Sequence, residues 1–256
     1  MKDLKYICFI PARFESSRFP GKPLAMIGDK MMIQRVWERV SKVLPNTYVA
    51  TDDERISSVV ESFGGKVVLT SRNHKSGTDR CREALDKVGG DVDVVINVQG
   101  DEPFIMEGQI HAIMNCFDDD NTQIATLARP FDSSRPMSEL IDPSTPKLVV
   151  DNDNFALYFS RSIIPYLRGQ NENEWAKKHD FFTHVGMYAY RSSVLREISN
   201  LPQSSLELAE SLEQLRWLQN GYKIKVGFTN CPTIGIDTPQ DLQSAIKMLD
   251  KLEKLS

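Results

Sequence analysis

Three cations, Arg13, Arg18 and Lys22, fall in one stretch, Ile10-Pro11-Ala12-Arg13-Phe14-Glu15-Ser16-Ser17-Arg18-Phe19-Pro20-Gly21-Lys22-Pro23-Leu24. Arginine presents a planar fork of donors and lysine a movable point charge, and polyphosphate recognition uses both. Gly21 beside the lysine lets the backbone approach an anion closely. The spacing is neither G-x-x-x-x-G-K-[ST] nor a dinucleotide fingerprint. From charge alone the stretch reads equally as a solvated basic loop. Acidic chemistry comes from Gln99-Gly100-Asp101-Glu102-Pro103. A carboxylate in a glycine-containing turn at the end of a strand is placed to hold Mg²⁺, although such a turn can also be no more than a turn. Asp237, in Gly235-Ile236-Asp237-Thr238-Pro239-Gln240-Asp241-Leu242, is a carboxylate just before a proline that suits a helix first turn, so capping explains it as well.

A third group of residues suits hydroxyl recognition. His184 and Tyr188 stand four apart in Thr183–Arg191, which puts both on one face of a strand. Together they donate and accept hydrogen bonds as a polyhydroxylated substrate requires, though a lone strand histidine is also a common structural residue. Glu210, Glu213, Gln214 and Trp217 recur at i, i+3, i+4 and i+7. A solvated polar face suffices for Glu210. Arg161, after Phe155-Ala156-Leu157-Tyr158-Phe159-Ser160, fits either an acid-binding role or a structural ion pair.

These residues need elements to position them. The apolar run Tyr6–Ile10 predicts a buried strand, and Pro11, Pro20 and Pro23 make the stretch after it a loop. Ligands of open α/β sheets bind at the carboxyl ends of such strands. A helix is predicted over Met31–Val43, a strand over Thr47–Ala50, and a helix over Glu54–Phe63 capped by Asp52 or Asp53 and ended by Gly64-Gly65. Lys66–Leu69 is a further strand, and Ser76-Gly77-Thr78-Asp79-Arg80 starts another helix. Val92–Val98 is a β-branched run expected of a central strand buried on both faces. Repeated β-α units imply a mainly parallel sheet with helices on both faces. Prolines at 130, 136, 143 and 146 break the next region, so residues from about 129 to 190 read as an irregular sub-lobe within a single domain of 256 residues. Within it, Lys147–Val150 is a strand, Asp151–Asn154 a turn, and Leu167–Asp180 a polar loop with Trp175 as a packing anchor. One helix is expected from the Ser204–Glu207 capping box to Gly221, with Leu208, Leu212 and Leu215 as its core stripe. A strand over Lys223–Phe228 comes after it.

Composition excludes several classes. A formal charge of −4 gives no general pull toward nucleic acid or an anionic membrane. Cys8, Cys81, Cys116 and Cys231 are scattered without C-x-x-C pairing, which favours reduced thiols in a cytoplasmic protein over a zinc site. No signal-like start and no long apolar span are present, so a soluble protein without a membrane partner is expected.

Taken together, the motifs resemble the sugar-acid cytidylyltransferases, above all the 3-deoxy-manno-octulosonate (Kdo) cytidylyltransferase family. Its opening signature P-A-R-[YF]-x-S-[ST]-R-[LF]-P-G-K-P-L is met throughout Pro11–Leu24. Its V-N-x-Q-G-D-E-P, A-L-Y-F-S-R-x-x-I-P, H-x-G-x-Y-x-Y-R, L-E-Q-L-R and [VI]-D-T-P-x-D-L blocks appear in order along the chain. The departures are Lys75 before Ser76 and Pro146 before Lys147.

The resemblance implies a Rossmann-like nucleotidyltransferase fold, an inserted lobe that binds substrate and forms a homodimer, and transfer of CMP from CTP to Kdo for lipopolysaccharide biosynthesis. It assigns Arg13, Arg18, Lys22, Ser76, Gly77 and Gln99 to the nucleotide, with Arg13 and Lys22 also catalytic. Asp101 and Asp237 become ligands of Mg²⁺, which would acidify the attacking anomeric hydroxyl. Arg161, His184, Tyr188, Glu213 and Gln214 become sugar-acid contacts. A related acid, such as 8-amino-Kdo or a neuraminic acid, is the alternative substrate. A CTP-binding regulator on the same fold is the non-enzymatic alternative, against which the retention of both Asp101 and Asp237 argues.

Overall fold

The computed structural model describes residues 4–15, 18–232 and 235–253; Ser16 and Ser17 of the opening motif lie outside them. The chain forms two compact units, one from residues up to Ile110 together with those from Pro232, the other from His111 to Cys231.

The first unit begins with β1 (Tyr6–Ala12), in which Ile7, Cys8, Phe9 and Ile10 are wholly buried. A small hairpin, β2 (Met26–Ile27) and β3 (Lys30–Met31), leads into α1 (Met32–Val43). Then come β4 (Thr47–Thr51), α2 (Glu54–Ser62), β5 (Lys66–Leu69), α3 (Gly77–Val88), β6 (Val94–Asn97) and the start of α4 (Glu107–Asn115). Side chains start the helices as the sequence predicts. Asp53 accepts from the Arg55 amide, and Ser76 from the Asp79 amide. All strand pairs of the main sheet in this unit are parallel, in the order β6-β1-β4-β5. The chain runs outward from β1 to β4 and β5, then returns to the other side of β1 as β6. That reversal is the switch point at which open α/β sheets leave a crevice.

The second unit contains β7 (Ile124–Pro130), α5 (Met137–Ile141), β8 (Lys147–Val150), β9 (Ala156–Ser160), α6 (Trp175–Lys178), β10 (Phe182–Arg191), α7 (Ser192–Ile198), α8 (Ser205–Glu210), α9 (Gln214–Gln219) and β11 (Ile224–Phe228). β11 is parallel to β7, whereas β7-β10, β10-β8 and β8-β9 are antiparallel. Leu140, Trp175 and Phe181 form a small core of their own, so the Leu167–Asp180 segment is folded around Trp175.

The single helix expected over 204–221 is two helices. Ser211 adopts the left-handed conformation, at φ 52°, and separates α8 from α9. The break redirects the face of α8, so Leu208 is 62% exposed while Leu212 and Leu215 remain buried. The capping box at Ser204 and Glu207 is present with both of its hydrogen bonds. After the second unit the chain returns to the first as α10 (Pro239–Glu253), whose Ala245 and Leu249 pack with Ile27, Met32, Phe104 and Ile236.

Candidate functional site

A polar cavity of about 520 Å³ opens at the switch point of the first unit. Three segments wall it: the loop after β1 with Arg13, Glu15, Arg18 and Lys22, the start of α3 with Ser76, Gly77 and Arg80, and the turn after β6 with Gln99, Gly100 and Asp101. Asp237 completes the lining. Two glycines make this packing possible. Gly21 sits at φ 72°, which an L side chain rarely adopts, and turns the loop back so that its amide donates to the Phe14 carbonyl at 2.7 Å. A Cβ on Gly100 would meet the Pro11 carbonyl oxygen at 2.9 Å, so only glycine lets the β6 turn lie against the end of β1.

The two carboxylates singled out from distant motifs meet on one ammonium. Lys22 Nζ donates to Asp101 Oδ2 at 2.6 Å, to Asp237 Oδ1 at 3.0 Å and to the Ile236 carbonyl at 3.1 Å. Arg18 lies 3.1 Å from the same Asp237 oxygen. The backbone fixes the pairing, because the Ile236 amide donates to the Asp101 carbonyl at 2.9 Å. Asp241 then holds the following turn by accepting from the Asp237 and Thr238 amides and the Thr238 hydroxyl. Burial works against the charged Lys22 ammonium, but the two carboxylates outweigh it and hold its pKa above the ordinary lysine value. Glu102 behaves oppositely: burial, reinforced by the neighbouring Asp101 charge, pushes it up to about 7.

No group of three or more His, Cys, Asp or Glu side chains that could hold a metal exists among the described residues. Two carboxylates converging on one cation nevertheless suit Mg²⁺, which takes one or two protein carboxylates and fills its remaining positions with water and substrate phosphate.

Arg80 carries no sequence-predicted role, yet it lines the cavity and is 1% exposed. It donates to Asp52 Oδ2 at 2.8 Å and to the Thr70 hydroxyl at 2.5 Å, pinning α3 to the ends of β4 and β5. Its place four residues after the cap Ser76, on the buried side of the helix, was the available signal.

The second unit holds a separate polar cluster. His184 and Tyr188 come from β10, their rings 5.4 Å apart, although a bulge between Val185 and Tyr188 interrupts the register. His184 Nε2 lies 2.9 Å from the Thr126 hydroxyl of β7, and its ring edge meets Phe159 of β9. Burial lowers its pKa to about 4, so the imidazole is neutral at pH 7. Burial raises the Tyr188 phenol well above its usual range, and the Glu213 charge adds to this. Tyr188 Oη, Gln214 Nε2 and Trp217 Nε1 are buried without a partner at hydrogen-bonding geometry among the described residues. Buried polar groups are nearly always satisfied, and Tyr188 has the Thr126 hydroxyl beside it, which leaves Gln214 and Trp217 as the groups of this cluster with free donors. Tyr188 and Trp217 meet edge to face at 5.1 Å.

Arg161 is occupied differently. Its guanidinium donates to the carbonyls of Glu210, Pro143 and Ser211, at 2.6, 2.9 and 3.2 Å. Glu210, expected on a solvated face, accepts from the Ser160 hydroxyl and the Arg161 amide. Lys147, expected only as the first residue of a strand, is fully buried with its ammonium caged by the carbonyls of Asp142, Thr145 and Arg161. These bonds tie the loop before β8, the end of β9 and the end of α8 into one rigid corner.

Comparison with known proteins places the chain in a family. A family model described as cytidylyltransferase matches residues 7–224. A 3-deoxy-manno-octulosonate cytidylyltransferase of Bacteroides thetaiotaomicron is 59% identical over 246 residues, covering 96% of this chain and 98% of its own. An 8-amino-3,8-dideoxy-manno-octulosonate cytidylyltransferase of a Shewanella species is more distant, at 46% identity with 94% and 96% covered. Among solved structures, a CMP:2-keto-3-deoxy-manno-octonic acid synthetase complexed with CTP superimposes with a TM-score of 0.87 at 42% identity, covering 96% of this chain and 99% of that one.

Proposed function

Because this chain belongs to the cytidylyltransferase family, and to its 3-deoxy-manno-octulosonate branch, we propose that it joins CMP from CTP to that sugar acid and releases pyrophosphate. The observation that carries the reading is the convergence of Arg18, Lys22, Asp101 and Asp237 in one cavity at the switch point of the first unit. The anomeric oxygen of the acid gives up its proton to solvent and attacks the α-phosphorus. The new oxygen–phosphorus bond forms as the bond from the α-phosphorus to the oxygen bridging to the β-phosphate breaks, and pyrophosphate leaves. Positioning and charge neutralisation carry such a step. Arg13, Arg18 and Lys22 hold the triphosphate and neutralise the departing pyrophosphate. Ser76, Gly77 and Gln99 contact the nucleoside end. Asp101 and Asp237 would hold Mg²⁺, which would supply neutralisation of phosphate charge and a lower pKa at the attacking hydroxyl. His184, Tyr188, Glu213 and Gln214 select the sugar acid through its hydroxyls, and Arg161 orients the corner beside them.

Mixing the protein with CTP, Mg²⁺ and Kdo is expected to release pyrophosphate, and omission of Kdo or addition of EDTA is expected to stop it. Release with 8-amino-Kdo or a neuraminic acid but not with Kdo would change the substrate and keep the mechanism. CTP binding without release on any acid would overturn the enzymatic reading.

We propose a homodimer in the cytoplasm as the working state. Ile141, Leu157 and Tyr166 of the second unit are apolar and exposed, which supports self-association, and equilibrium sedimentation tests it. Free cysteines at Cys8, Cys81, Cys116 and Cys231 suit a reducing compartment. No described helix is long and apolar enough to cross a membrane.

A further inference from the structure

All three N–H donors of the Lys22 ammonium are engaged within the protein, on Asp101, Asp237 and the Ile236 carbonyl. An ammonium has three donors and no more. While it bridges the carboxylates, Lys22 therefore has nothing left with which to bind a phosphate. The bridge is also well sheltered, since the lysine side chain is only 15% exposed and the Asp101 side chain 28%. At these distances and this burial the attraction is far less screened than on an open surface. Arg18 is 64% exposed and, among the described residues, pairs with Asp237 and not with Asp101, so it does not bridge the two as Lys22 does.

We propose that Lys22 is an internal competitor for the divalent cation, holding the Asp101–Asp237 pair closed to metal until a triphosphate draws the ammonium away. The inference rests on the reading of those two carboxylates as the metal's ligands. Without nucleotide, a divalent ion entering the pair must expel Lys22 into a cavity whose remaining charged lining is Arg13, Arg18 and Arg80 against one carboxylate, Glu15, so its charge is far less compensated there than between Asp101 and Asp237. With a triphosphate present, the same movement carries the ammonium from carboxylate oxygens to phosphate oxygens, and its charge remains compensated throughout. Nucleotide and metal then bind in sequence, nucleotide first. Lys22 links the two events by leaving one anion for the other. This coupling follows from differential binding alone and requires no movement beyond the reach of one side chain.

Binding of Mn²⁺, read from the loss of the free-ion electron paramagnetic resonance signal, tests the proposal without turnover. Wild-type protein alone is expected to lack a tight Mn²⁺ site, and CTP is expected to create one that Asp101→Asn removes. Lys22→Met, which keeps the length and loses the charge, is expected to bind Mn²⁺ without CTP at least about tenfold more tightly than wild type. Lys22→Arg, which keeps the charge, is expected to exclude the ion as wild type does. An Asp101-dependent Mn²⁺ site in wild-type protein without CTP would overturn the proposal, and this arm holds even if a variant folds poorly. Equal gains in Lys22→Met and Lys22→Arg would also overturn it, by showing a loosened loop. A gain in Lys22→Met that persists in the Lys22→Met, Asp101→Asn double variant would instead sink the carboxylate-pair reading beneath it.

Discussion

Asp101 and His184 show how burial and charge set two side chains to different tasks. Asp101 shares its ammonium with Asp237, and on the proposed function its role is in turnover more than in holding the nucleotide. Asp101→Asn is expected to lower kcat by at least about a thousandfold while CTP affinity changes little, measured by pyrophosphate release and calorimetry. His184 lies in a setting that disfavours its charged form, with a pKa of about 4 against an ordinary 6.5. The unfolded chain therefore binds more protons than the folded one between those values. The stability that a neutral His184 contributes is present above about pH 6.5 and is lost as pH falls through about 4. At pH 4.5 this loss is about 2 kcal/mol relative to pH 7, and urea midpoints of wild type and His184→Gln at the two pH values would reveal it. An equal pH dependence in the variant would show that His184 is not the group responsible.

At the scale of elements, the Glu207–Arg216 pair holds α8 to α9 and so places Glu213 and Gln214. Arg216 donates to both Glu207 oxygens, at 2.8 and 2.5 Å, with less than a tenth of either side chain exposed. Burial opposes the Glu207 charge, yet Arg216 keeps its pKa below the usual carboxylate range. Arg216→Met leaves a buried carboxylate without its partner and is expected to cost about 3 to 5 kcal/mol in denaturant unfolding. A loss below about 1 kcal/mol would mean that the pair is solvated. Much of this level was legible in the sequence. The largely β-branched run predicted as a strand over Val92–Val98 contains β6, Val94–Asn97, and Asp53, Ser76 and Ser204 announce their helices because capping is local chemistry. The break at Ser211 was not legible, because no glycine or proline marks it and a serine in the left-handed region leaves no local signal. The meeting of Asp101, Asp237 and Lys22 was equally hidden from spacing, since the contacts bridge 79 and 215 residues of chain. Only the likeness of each motif to a known family joined them before the fold did. The carbonyl cage around Lys147 had no signal at all, because carbonyl acceptors belong to every residue.

Across the whole molecule, the first unit is discontinuous. Its last helix arrives only after the chain has completed the 111–231 unit. Ala245 and Leu249 of α10, with Leu242 and Ile246 beside them, cover Ile27, Met32 and Phe104. Ending the chain at Thr238 is expected to cost on the order of 5 kcal/mol through lost apolar burial. A melting curve and loss of CTP binding would register it, whereas an unchanged melting temperature would show that α10 is only an appendage. The discontinuity also has a consequence in time. During synthesis at about 5–20 residues per second, the residues up to Ile110 wait roughly 6 to 24 seconds for the returning segment of their own unit. Through that interval the apolar face beneath α10 is uncovered and Lys22 has only one of its two carboxylates. A nascent chain stalled anywhere before Asp237 thus carries the whole opening signature while its cavity still lacks part of its lining and Lys22 one of its two carboxylates.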